Sequence, residues 1–172
     1  MYNQKVKFNY NVSRFVDCEY PAASSCVKHQ VTELTDIHDK YGGFPTTYTL
    51  GNTTIHQRWW DKNELDFAEI GSLLNMQVVT ISSIKQPPGQ VVPWHRDTFF
   101  LLKKEFPNRA QPVRALIMLE DWKVGHFVQH DQAVFTHWMA GDGYIWDTDI
   151  LHLGANAGME DKYTLQVSGF IK

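Results

Sequence analysis

The 172-residue chain is short of the features that mark several large protein classes. Its two cysteines, Cys18 and Cys26, have neither C-x-x-C spacing nor a further partner, so neither a disulfide scaffold nor a thiolate metal site is indicated. No apolar run is long enough to cross a bilayer, and the first residues show no cleavable signal pattern. A formal net charge of −3 supplies no general attraction for nucleic acid or an anionic membrane. Repeats and low-complexity tracts are missing, and the 7 prolines and 11 glycines are scattered as turn punctuation without forming a linker. What remains is 43% hydrophobic and 20% charged, a globular balance. The length suits one domain with a substantial core and is too short for two ordinary domains with a linker. A reducing, cytoplasmic setting is the simplest expectation.

Two helical patterns precede a long β pattern. Val27, Val31, Leu34, Ile37 and Tyr41 recur at three- and four-residue steps after Ser24 and Ser25, and Gly42-Gly43 ends the run. Leu65, Ala68 and Leu73 point to a second helix, interrupted by Gly71. Beyond Met76 the expected strands are Val78 to Ile84, Val91 to His95, Val113 to Leu119, Phe127 to His137, Tyr144 to Trp146, Ile150 to Leu153 and Tyr163 to Ile171. Helices followed by many short strands predict a mainly β fold backed by helices, an antiparallel sheet or barrel. Residues 1–76 form its mixed N-terminal support and residues 77–172 its β core.

The densest chemistry lies in the run VVPWHRDTF, Val91 to Phe99. A Pro87-Pro88-Gly89 turn precedes it, β-branched residues lead into it, and Pro93 places it near a strand end or edge. On an extended segment His95 and Asp97 project to one side, offering an imidazole and a carboxylate to one point. His152, in WDTDILHLGAN, supplies a third donor from another short apolar run. Two histidines and one carboxylate on one face of an ion leave open positions, the arrangement suited to non-haem Fe(II) and oxygen chemistry. By itself the triplet also fits a surface hydrogen-bonded pair with a core histidine. Asp147 and Asp149 stand close to His152, but Asp149 is at an odd offset from it, and Asp97 is preferred.

The C-terminal run Lys162-Tyr163-Thr164-Leu165-Gln166-Val167-Ser168 alternates polar and apolar over seven positions. If the Tyr, Leu and Val face packs outward against helices, Lys162 points into the interior, where an ammonium needs an anion. With His95-x-Asp97, a distal His152 and a basic residue ten positions later, the chain resembles the 2-oxoglutarate-dependent Fe(II) dioxygenases. Lysine in the basic position and Thr164 two residues on look like the prolyl 4-hydroxylase and aspartyl-asparaginyl hydroxylase branch. The resemblance covers roughly Val78 to Lys172, including Ala140 to Trp146 as the glycine turn and strand that deliver the distal histidine. Asp142-Gly143 is in addition a strong hairpin dipeptide.

This likeness implies a double-stranded β-helix, the jelly-roll or cupin-like fold. It implies Fe(II) on His95, Asp97 and His152, and 2-oxoglutarate as co-substrate with its far carboxylate on Lys162 and Thr164. O2 is the oxidant, and a small molecule or peptide side chain the hydroxylated substrate. Arg114, at the start of a strand, reaches either the co-substrate, the substrate or an outer ion pair. A lysine holds a carboxylate as a point charge without the bidentate grip of arginine. The alternatives are a cupin-like metalloenzyme without 2-oxoglutarate and a non-catalytic β-barrel binding module with structural histidines.

His126, His130 and His137 form a second histidine group, read as solvated or substrate-facing because its neighbours pattern as strand and turn. Trp94 and Arg96 should face away from the metal. Thr46 to Tyr48 and Arg58 to Trp60 are candidates for shaping the substrate site.

Overall fold

The computed structural model describes residues 3–21, 54–97, 99–109, 111–130 and 133–172. The expected helix from Val27 to Tyr41, Cys26 and the Thr46 to Tyr48 segment lie outside the described residues. Within them the chain forms strands β1 (Asn3–Lys7), β2 (His56–Trp60), β3 (Met76–Gln86), β4 (Gln90–His95), β5 (Val113–Met118), β6 (His126–His130), β7 (Ala133–Phe135), β8 (Asp142–Asp147), β9 (His152–Asn156) and β10 (Lys162–Ile171). Short helices α1 (Ser13–Val16), α2 (Phe67–Leu74) and α3 (Phe100–Glu105) intervene.

All pairings are antiparallel, and they build two sheets: a six-stranded one in the order β1-β8-β5-β10-β3-β2 and a four-stranded one in the order β4-β9-β6-β7. Leu116, Met118 and Trp146 of the larger sheet pack with Val128 of the smaller, so the two sheets face each other. This is a jelly-roll. Strands β1 and β2, from the part of the chain expected to be mixed support, add the two outer strands of the large sheet.

Alternation decides what each face carries. Ala115, Ile117, Ile145, Leu165 and Val167 share the outer face of the large sheet and bury against Phe8, Phe15 and the α2 residues Ile70 and Leu74. Helix α2 starts where the Asp66 carboxylate accepts the amides of Ala68 and Glu69, and stops at Asn75 with φ 52°. Gly71, which weakens the helical pattern, is required by packing: a Cβ there would lie 2.4 Å from the carbonyl oxygen of Met76.

The opposite, inner face collects the polar residues. Lys162, Thr164, Gln166 and Ser168 of β10 line it, opposite Gln86, Ile84, Ser82 and Thr80 of β3. Arg114, Leu116 and Met118 of β5 flank β10 on its other side, followed by Trp146 and Tyr144 of β8. From the small sheet His95, His152 and His130 form one row, and Gly154 pairs in the next with Val92 and Val128.

Several boundaries differ from the sequence reading. The expected strand from Phe127 to His137 is a hairpin, β6 and β7. The turn before β8 is made by Gly141, at φ 84°, and not by Asp142-Gly143. Gly143 lies inside β8 without positive φ; it is glycine because a Cβ would meet the Leu116 carbonyl oxygen at 2.4 Å. Strand β9 runs on past the expected end at Leu153 to take in Gly154 and Asn156, and Asn156 is fully buried. The Pro-Pro-Gly turn is found: Gln90 N donates to Pro87 O at 3.3 Å, and Gly89 has φ 78°.

Candidate metal centre

Strand β4 ends at His95, and its pairing with β9 shifts between Val92 and His95, so that His95 comes to lie opposite His152. Their rings are 4.2 Å apart. Asp97 stands beyond the strand end, so strand alternation by itself does not aim its carboxylate. One donor atom each from His95, Asp97 and His152 fall within 4.8 Å of one another, the only such group of three or more among the described residues. Asp97 and His152 are buried and His95 is half-buried.

The electrostatics favour the ligand forms. Burial raises the Asp97 carboxyl, but Arg114, His152, His95 and a Trp146 hydrogen bond outweigh it and hold it at about 2. Burial, followed by the nearby His95, lowers His152 to about 3, so its imidazole is neutral. His152 Nδ1 lies 3.1 Å from Ile150 O. A carbonyl only accepts, so Nδ1 carries the proton and Nε2 offers its lone pair toward Asp97 Oδ2, 3.9 Å away. Such a backbone anchor on the second ring nitrogen is what orients metal-binding histidines generally. Two imidazoles, that of His152 neutral, and an ionised carboxylate form a donor set that fits a divalent transition metal.

Lys162 occupies the interior and is 3% exposed. Its Nζ donates to Phe127 O at 3.0 Å, Ala155 O at 3.3 Å and Gln86 Oε1 at 3.4 Å. Gln86 is tied in turn, its Nε2 donating to Gln90 O and Gly154 O. Among the described residues no carboxylate pairs with this ammonium, and burial lowers it from 10.5 to about 7. A Cβ on Gly154 would stand 3.6 Å from Nζ. Gly154 follows His152 by two residues along β9, one side-chain repeat of about 6.6 Å. Thr164 is two residues from Lys162 on the same inner face and is buried.

Arg114 points inward: its guanidinium pairs with Asp97 Oδ1, and its Nε donates to Ser168 Oγ at 3.1 Å. Arg96 donates to Asp149 O at 3.1 Å, and Asp149 takes no part in the triad. His126 and His130 face the interior from β6, whereas His137 stacks on Trp122 at 4.1 Å, so the three do not converge. His126 Nε2 lies 3.0 Å from Glu160 O, and burial lowers its ring. Of the β2 candidates, Arg58 and Trp60 face the outer core, where Arg58 pairs with Glu64 and Trp60 donates to Ser83 Oγ. Only Trp59 is on the inner-face register, opposite Ser82, and it is exposed. Trp146, which sequence reasoning did not single out as a site residue, donates its Nε1 to Asp97 Oδ2 at 3.0 Å, and its ring lies 4.6 Å from that of His152. Its even offset from His152 in the sequence gave no signal, because the two residues sit on different sheets.

No protein-family model matches the chain, and no curated protein matches it. Solved structures do. A prolyl-4-hydroxylase from Pseudomonas putida superposes with a TM-score of 0.55 at 14% identity, over 99% of this chain and 92% of that one. The viral collagen prolyl hydroxylase of Paramecium bursaria Chlorella virus-1, solved with 2-oxoglutarate, gives 0.55 at 11% identity, over 98% and 96%. The non-haem α-ketoglutarate-dependent epimerase SnoN from nogalamycin biosynthesis gives 0.54 at 12% identity, over 96% and 76%. The protein therefore shares a jelly-roll fold with these prolyl hydroxylases and this α-ketoglutarate-dependent epimerase. Prolyl hydroxylases are among the structures that share it over nearly their whole length.

Proposed function

We propose that this chain is a single-domain Fe(II)- and 2-oxoglutarate-dependent oxygenase that hydroxylates a small molecule or a peptide side chain. The observation that carries the reading is the convergence of His95, Asp97 and His152 at one end of an interior whose next layer holds the buried amine of Lys162, which among the described residues has no carboxylate partner. Bound at the triad, Fe(II) with 2-oxoglutarate and O2 supplies the oxidising chemistry, with succinate and CO2 as the co-substrate's products.

The residues supply the rest. His152, fixed by Ile150 O, presents Nε2; Asp97 stays ionised; His95 completes one face and leaves the opposite face open. Arg114 neutralises Asp97, so a divalent ion on the triad brings two uncompensated positive charges and a protonated Lys162 a third. A dicarboxylate supplies two of the three compensating negative charges in so dry a place. Gly154, lacking a side chain between His152 and Lys162, keeps the path between ion and ammonium open, and Lys162 and Thr164 receive the far carboxylate. To do so Lys162 gives up one present acceptor, and Gln86 Oε1, at 3.4 Å the longest contact, is the first to go.

One observation favours the rival of a metalloenzyme without 2-oxoglutarate: all three Lys162 protons already have protein acceptors. Adding Fe(II) and then 2-oxoglutarate without oxygen separates the two readings. A visible metal-to-ligand charge-transfer band that His95→Ala abolishes supports the oxygenase. Iron binding whose spectrum never responds to 2-oxoglutarate refutes it and leaves the rival. Succinate release screened over amino acids, peptides and small metabolites then identifies the substrate class.

A further inference from the structure

The inner-face row Trp146-Arg114-Ser168 runs across β8, β5 and β10 and converges on one carboxylate. Trp146 Nε1 donates to Asp97 Oδ2, the Arg114 guanidinium pairs with Oδ1, and Ser168 Oγ accepts Arg114 Nε. The guanidinium carbon also lies 5.2 Å from the centre of the Phe99 ring, a cation–π contact added to the hydrogen bonds. Asp97 belongs to no strand, and these contacts give its side chain the definition that the backbone there does not.

We propose that Arg114 is a positioning residue that occupies Asp97 Oδ1 and so restricts Asp97 to binding the metal through Oδ2 alone. The proposal rests on the metal-centre reading above. Both oxygens have a partner, but unequally: Oδ1 is paired with a guanidinium cation, which repels a metal ion, whereas Oδ2 accepts only the neutral Trp146 Nε1–H and faces His152 Nε2, 3.9 Å away. A carboxylate gripping the ion with both oxygens would consume a coordination position that an oxygenase must keep open. Arg114, held by its Asp97 pair, its Ser168 hydrogen bond and the Phe99 ring, prevents that rotation, and Ser168 fixes where its Nε lies. A direct contact between Arg114 and the co-substrate, by contrast, would leave the metal site indifferent to this residue until 2-oxoglutarate was added.

Cobalt(II) titration of the purified protein without 2-oxoglutarate, read by affinity and by the visible cobalt absorption, tests the idea. Arg114→Met should weaken cobalt binding by about tenfold or more and change the shape of the cobalt bands, as loss of an outer-shell partner does elsewhere. Arg114→Lys should recover part of both. Because Arg114→Met strands a buried carboxylate and can fail to fold, Ser168→Ala serves as the second variant; it should shift the same bands in the same direction with a loss of about twofold to fivefold. Folded Arg114→Met and Ser168→Ala proteins with wild-type affinity and bands overturn the proposal. So does a variant that differs only once 2-oxoglutarate is present, which makes Arg114 a co-substrate contact. If the wild-type chain itself takes up no cobalt, iron or manganese, the metal-centre reading fails, and this proposal fails with it.

Discussion

Replacing Lys162 with methionine should separate stability from co-substrate binding. Burial lowers the lysine from 10.5 to about 7, so at about 1.4 kcal/mol per pH unit its presence costs the fold about 4 kcal/mol at neutral pH. Methionine removes that cost but strands three acceptors, Phe127 O, Ala155 O and Gln86 Oε1, at about 1 kcal/mol each. The variant should therefore be as stable as the wild type at pH 7 or more stable by about 1 kcal/mol, a rise of about 2–4 °C in melting temperature. Between pH 7 and 10 the unfolded chain holds the lysine proton and the folded one does not, so on this group's account wild-type stability rises with pH. The methionine variant lacks that rise, and by pH 9 the order should reverse. Thermal unfolding at both pH values, with and without manganese and 2-oxoglutarate, provides the assay. The wild type should gain melting temperature from 2-oxoglutarate and the variant should not. A variant several degrees less stable at pH 7 that still responds to 2-oxoglutarate would refute both the energetics and the role of the ammonium.

Asp97→Asn should fold yet lose metal binding, visible as free manganese signal in electron paramagnetic resonance; tight binding by this variant would remove Asp97 from the ligand set. Binding of 2-oxoglutarate at pH 7 should draw about half a proton onto Lys162, measured calorimetrically in buffers of different ionisation enthalpy. Gly143→Ala should destabilise by about 2 kcal/mol or more, because its methyl would fall 2.4 Å from a backbone oxygen. Gly89→Ala should cost only about 1 kcal/mol, since it has φ 78° but nothing within 4 Å; equal losses at the two glycines, measured by denaturant unfolding, would contradict the packing argument. Ile70→Ala, at a fully buried site on α2, should cost about 2–5 kcal/mol in the same assay.

The sequence makes the strands legible where side chains alternate. The β10 run announced its two faces because Leu165 and Val167 truly face a dry outer core while Lys162, Thr164 and Ser168 do not. The histidine-carboxylate triad was legible from spacing and from family likeness together. Strand β1 was not, because its residues are mostly exposed and offer no apolar period; its place is fixed by pairing with β8 and by the Lys7–Asp142 ion pair. Residue Gly143 misled for a related reason: a dipeptide favoured in turns is also what a crowded strand needs when a neighbouring carbonyl leaves no room for a side chain. The clamp of Arg114 and Trp146 on Asp97 escaped because it depends on the lateral order β8-β5-β10, a long-range fact that no local pattern contains.

That lateral order also bears on how the chain is made. Strand β10, made after both of its neighbours, sits in the middle of the large sheet between β5 and β3. Until it arrives, two long edges rich in valine, isoleucine and leucine wait without their shared neighbour, the kind of surface through which nascent chains stick to one another. Closure therefore comes late and by long-range pairing, which is intrinsically slow. Deleting the β10 residues Lys162–Ile171 would not trim a margin but take out the centre of the sheet, and such a variant should be recovered as aggregate.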